Sequence, residues 1–168
     1  MVDQGGLYKD KAQGIIARAK AIILTPDAEW PIIDGEPATV GSLYTGYIMI
    51  LAAIGPISTF LHSVVFGYGG FGITYRPPFF AAVATAIVSY ALALGGAYVM
   101  ALIIDALAPT FQGQKSQVQA LKLVAYSSTA AWLAGIFNLI PWIGFLGLLG
   151  IYSLYLFYRG LPVMMKCP

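Results

Sequence analysis

A chain of 168 residues that is 59% hydrophobic and 10% charged, with mean hydropathy +0.79, is no ordinary soluble domain, which carries roughly 25% charged residues. The net charge of +2 is too small to point to nucleic acid, and the single cysteine, Cys167, excludes an intramolecular disulfide and a cysteine-based metal cluster. Lipid is the solvent this composition calls for, in one all-α polytopic domain of about four crossings.

Residues 1–6 read as a disordered start, and charges up to Lys20 interrupt any secretory signal pattern, so the spans themselves are expected to direct insertion. From Lys9 to Leu24, Ile15, Ile16, Ala19, Ile22 and Ile23 fall on one helical face, with Lys11, Arg18 and Lys20 around it. A basic amphipathic helix of this kind lies in the membrane interface or packs on the protein's own surface. Thr25 suits a helix cap, Pro26 the first helical position, and Asp27 and Glu29 the positive helix end. Pro31, Gly35 and Pro37 keep that helix short, and Trp30 reads as a ring anchored at headgroup depth. Residues 1–42 thus form a cytoplasmic segment with an interfacial helix, and 43–168 the transmembrane domain.

The first span is expected over about 43–66, kinked at Gly55-Pro56 because proline removes a backbone donor. A glycine-rich and aromatic loop follows, needing no fold of its own. The second span, 79–107, places Ala81, Thr85, Ser89, Ala93, Ala97 and Ala101 at every fourth residue, a smooth ridge for close helix packing. The third, 118–138, repeats that interval at Ser127, Ala131 and Gly135. The fourth, 141–159, carries Gly144, Gly147, Gly150 and Ser153 at intervals of three, and Tyr152, Tyr155 and Tyr158 read as an aromatic belt near its end. Between Lys122 and Arg159 no side chain other than tyrosine ionises, too long a run for one crossing, and Asn138 and Pro141 supply the turn of a helical hairpin. With four spans, Lys9, Lys11, Arg18, Lys20, Lys115, Lys122, Arg159 and Lys166 fall on one side and only Arg76 on the other. That bias predicts both ends of the chain in the cytoplasm.

Asp105 and Lys122 end and begin adjacent spans on the same side and suggest an ion pair, with a binding or proton-relay role as the alternative. His62 is the lone histidine, so no histidine-based metal site is available; Cys167 reads as a free thiol. No phosphate-cradling loop, paired intramembrane carboxylates or metal-ligand spacing occurs, so no catalytic residues and no cofactor are expected.

The strings T-P-D-A-E-W-P-I-I, L-Y-T-G-Y-I-M-I-L-A-A-I-G-P, A-P-T-F-Q-G-Q-K, A-Y-S-S-T-A-A-W-L-A-G-I-F and I-Y-S-L-Y-L-F-Y-R-G-L-P-V-M-M-K-C-P, in that order and spacing, resemble the Yip family of Ypt/Rab-interacting membrane proteins. The compact form resembles a bacterial inner-membrane member, which implies that location. The resemblance departs at Ala130, where relatives often have proline, so a kink in the third span is expected to be missing. It implies a fifth span beyond the G-L-P-V-M-M-K-C-P string. The long head of the eukaryotic members that bind Rab-type GTPases is absent, so GTPase binding does not carry over, and the family supplies no catalytic residues. The expected function is a non-enzymatic scaffold or membrane-organising protein. Its expected partners are the lipid bilayer and other membrane proteins or further copies of itself. A small transporter or channel, or an accessory subunit of a larger complex, are the alternatives.

Overall fold

A computed structural model describes residues 4–70 and 73–168, with side chains described from Gln13 onward except at 70–72. Two amphipathic helices come first, α1 (Gln4–Leu24) and α2 (Pro26–Gly35), with Gln4 to Gly6 helical where the sequence suggested disorder. Four helices long and apolar enough to cross a membrane follow: α3 (Val40–Val65), α4 (Phe79–Phe111), α5 (Gln117–Leu139) and α6 (Pro141–Met165). The chain is an all-α polytopic membrane protein. The loop expected to be unstructured instead folds into an antiparallel ribbon, β1 (Tyr68–Gly70) with β2 (Ile73–Tyr75), pairing Tyr68 with Tyr75 and Gly69 with Thr74. Gly67 enters the ribbon at φ 74°, a conformation glycine adopts without cost, and Arg76 Nη2 donates to the Val65 carbonyl at the end of α3 (3.1 Å).

α5 is the central helix: 56% of its apolar window is buried, against 11% for α4 and 6% for α6. Leu121, Leu123 and Ala125 on it are fully buried, packed with Ile22, Trp30, Ile33, Ile48, Ala101 and Met165 from the surrounding elements. α2 thus contributes Trp30 and Ile33 to the core. Trp30, expected at headgroup depth, is 1% exposed. It lies against Gly160 of α6, where a Cβ would come within 2.5 Å of two of its ring carbons.

Three of the spans depart from regular α-helix within their length. α3 opens as α-helix at Val40–Leu43, passes into a π-helical turn at Tyr44–Ile48 and is interrupted at Ala53, just ahead of Gly55-Pro56. α5 has a single-residue interruption at Ser128, two residues before Ala130. There Thr129 Oγ1 lies 3.4 Å from the Ala125 carbonyl and 2.8 Å from the Tyr47 hydroxyl, and side-chain bonding back to the i−4 carbonyl bends helices. The first half of α6, Pro141–Ile151, is a 3-10 helix. Residues three apart eclipse one another in that geometry, so Gly144, Gly147 and Gly150 stack on a single side. That side faces α5: added Cβ atoms would lie 4.0 Å from Phe137 O, 3.7 Å from Asn138 Oδ1 and 3.2 Å from Ala131 Cα. The interval of three read in the sequence is thus the period of the helix that forms.

Candidate functional site

The polar chemistry of the molecule gathers at one end, around α2. Between Asp27 and Glu36 stand four acids, and each meets a cation from another element. Arg18 of α1 bridges Glu29 and Glu36; Lys166, just past α6, meets Asp34. Arg159 of α6 meets Asp27, with Nη2 at 2.5 Å and Nε at 2.6 Å from the same oxygen. Burial opposes the Arg18 charge most strongly, but Glu36 and Glu29 outweigh it and hold the guanidinium above its ordinary pKa. Arg18 also sits 6.0 Å from the Tyr126 ring centroid, within cation–π range.

Lys122 completes this clasp from within α5. It is 3% exposed, and its Nζ donates to the backbone carbonyls of Ile33 (2.8 Å) and Glu36 (2.5 Å) at the end of α2. Helix C-termini leave such carbonyls without intrahelical partners and attract cations. Gln119, one turn earlier on α5, donates to Asp34 Oδ1 at 2.8 Å. The pair of Asp105 with Lys122 suggested by the sequence is not formed. Lys122 turns to α2, while the Asp105 Oδ1 is buried with no partner among the described residues.

Of the other basic residues read as interfacial, Lys20 is exposed, and the side chain of Lys11 lies outside the described residues. Thr25 precedes α2, but its hydroxyl does not cap that helix; it donates back to Ala21 O at 3.0 Å.

The small-residue ridge of α4 divides in two. Ala97 and Ala101 are buried in the core and Ala93 is half-buried, whereas Ala81, Thr85 and Ser89 are exposed. Thr85 and Ser89 line a cavity of about 340 Å³ between α3 and α4, together with Gly55, Pro56, Thr59 and Ser63. The ridge of α5 is also shared between two neighbours. A Cβ on Gly135 would lie 2.9 Å from Gly55 Cα of α3, while Ala131 lies under Gly150 of α6 and Ser127 is buried. Inter-helix bonds that composition did not suggest tie α3 to α4: the Tyr44 hydroxyl donates to Leu94 O (2.7 Å) and that of Tyr90 to Met49 O (2.8 Å). For Tyr90 the signal was a tyrosine far from the predicted ends of its span, where a hydroxyl needs a partner; Tyr44, at the start of its span, gave no such signal.

A Yip1 domain matches residues 20–168, most of the chain. The chain belongs to the Yip1-domain family. The match takes in α2, all four spans and the clasp residues other than Arg18. This Yip1-domain chain is similar to the inner membrane protein YohC of Escherichia coli strain K12 and to that of Escherichia coli O6:H1. Each is 29% identical over 144 residues, covering 85% of this chain and 73% of the relative. No solved structure matches. Among the described residues no group of three or more His, Cys, Asp or Glu is placed to hold a metal.

Proposed function

We propose that this Yip1-domain protein is a non-enzymatic membrane-organising scaffold, acting through helix–helix packing and through its amphipathic layer on the membrane surface. The observation that carries this reading is the clasp. Cations from α1 and α6, with Lys122 of α5, hold α2 to the bundle, while Ile16, Leu24 and Ile32 of the same layer remain 67%, 65% and 53% exposed. Exposed apolar side chains held beside spanning helices insert into one leaflet. The eight-to-one distribution of basic residues makes that the cytoplasmic leaflet, and the inner-membrane relatives support the same location for this chain. The outer faces of α4 and α6, the least buried spans, are open to other membrane proteins or to further copies of the chain.

Reconstitution tests the proposal. Vesicles formed with the full chain should differ in diameter distribution from protein-free vesicles, and a chain lacking residues 9–24 should lose most of that effect. In native membranes, cross-linking should trap contacts through α4 or α6. No change in vesicle form together with no cross-linked species would overturn the scaffold reading, and capture of one stoichiometric complex would favour an accessory subunit.

The cavity beside Gly55-Pro56, with Thr59, Ser63, Thr85 and Ser89 in its lining, favours a small transporter as second reading. Asp105 and Lys122 do not line it. Solute flux into liposomes that is lost in Ser89→Leu would replace the scaffold reading with this one.

A further inference from the structure

An apolar groove of about 560 Å³ runs between α1, α3, α5 and α6, lined by Ile23, Ile54, Leu133, Phe137, Leu149 and Tyr152. It opens sideways from the bundle, with Ile136 and Leu149 at its rim 53% and 57% exposed. The one hydroxyl on it, that of Tyr152, is already engaged, donating to Ile23 O at 3.0 Å. Arg159 lies two turns beyond Tyr152, about 10 Å of helix, so Tyr152 stands on the membrane side of that cation. A groove of this size left unfilled would forfeit dispersion contacts along its whole lining.

α1 reaches the groove through Ile23, and Lys20 stands one turn before it on the same helix, on a neighbouring face. At this end of the molecule Arg18, Arg159 and Lys166 meet carboxylates and Lys122 meets carbonyls, but exposed Lys20 has no such partner among the described residues. An unmatched ammonium beside a hydrocarbon groove has the charge and shape of a lipid site. We infer that the groove holds an anionic phospholipid of the leaflet at the basic end, with one acyl chain along Ile54, Leu133 and Leu149 and the phosphate on Lys20. The inference goes beyond the scaffold reading and needs only that the chain spans the bilayer.

The full chain in phosphatidylcholine vesicles carrying trace spin-labelled phosphatidylglycerol or phosphatidylcholine tests it, with the motionally restricted fraction read by electron paramagnetic resonance. Phosphatidylglycerol should be restricted about fivefold more strongly than phosphatidylcholine, the effect of one lysine at an anionic headgroup. Lys20→Gln should bring the two lipids to parity, and Lys115→Gln, in the loop between α4 and α5, should leave the preference in place. Leu149→Trp, filling the groove from its exposed rim, should reduce the restriction of both lipids. Equal restriction by the wild type, or a preference that survives Lys20→Gln, overturns the phosphate contact. Unchanged restriction in Leu149→Trp overturns the groove. Circular dichroism verifies folding of each variant, and Ile136→Trp replaces Leu149→Trp if that chain does not fold.

Discussion

Lys122 shows how a single side chain changes meaning with its neighbours. In the sequence it opens a span beside Asp105; in the structure its ammonium bonds the carbonyls that end α2, 3% exposed. Its removal takes a charged donor from both carbonyls, although Ile33 O keeps its bond from the Glu36 N–H, so Lys122→Met should lower stability by about 1–3 kcal/mol, read as a shifted denaturation midpoint in mild detergent. Gly160 works by having no side chain. Trp30 and Leu123 would lie 2.5 and 2.8 Å from a Cβ there, and both are core residues. Gly160→Ala should therefore cost about 1–3 kcal/mol in the same assay and displace Trp30, visible as a shift of its fluorescence. A stability unchanged from wild type would show that α2 does not rest on α6 through this contact.

Between elements, glycines that look equivalent in the sequence are not equivalent in space. Gly135 and Gly55 meet where α5 crosses α3, yet only Gly135 points its absent Cβ at the facing backbone, 2.9 Å from Gly55 Cα; a Cβ on Gly55 would meet open space. Gly135→Ala should therefore push the helices apart and destabilise by about 1–3 kcal/mol. Gly55→Ala should be neutral or stabilising by up to about 1 kcal/mol, since alanine is the better helix former. Equal effects of the two substitutions on thermal aggregation in detergent would refute this packing. Across the break at Ser128, the Tyr47 hydroxyl meets Thr129 Oγ1, and the Ala131 N–H donates to Ser153 Oγ at 2.8 Å. Tyr47→Phe should cost about 1 kcal/mol or less, in keeping with the modest strength of inter-helix hydrogen bonds in membranes.

Over the whole molecule, the clasp and the spans answer to different forces. The pairs at Asp27 and Asp34 involve partly exposed side chains, and salt screens such charges, whereas close packing within the spans is indifferent to it. Raising salt from about 0.05 M to 1 M should accelerate amide exchange in α2 while leaving α5 unchanged. Uniform acceleration in both would show that the layer does not depend on its ion pairs. The proposed orientation is tested with Cys167, the one native thiol. In intact cells a membrane-impermeant maleimide should leave Cys167 unlabelled and should label Tyr75→Cys in the opposite ribbon; the reverse pattern would invert the topology.

The residues by themselves determined the medium, the number of spans and their near-boundaries, and the gathering of positive charge at one end. These follow from local composition: a run of about 20 apolar residues has few other fates, whatever it packs against. They also held the interval of three in Gly144, Gly147 and Gly150, legible as a close-packing face though not as the 3-10 helix that makes it one. Only the tertiary structure decided partners. Trp30 reads as an interface anchor until Gly160 is seen to leave room for it, and Arg18 reads as a lipid-facing cation until Glu29 and Glu36 are seen around it. The four acids between Asp27 and Glu36 and their cations lie far apart along the chain, and a periodicity reports which face a residue is on, never what that face will meet. Which cations are matched and which, like Lys20, are left for the membrane is a property of the assembled bundle.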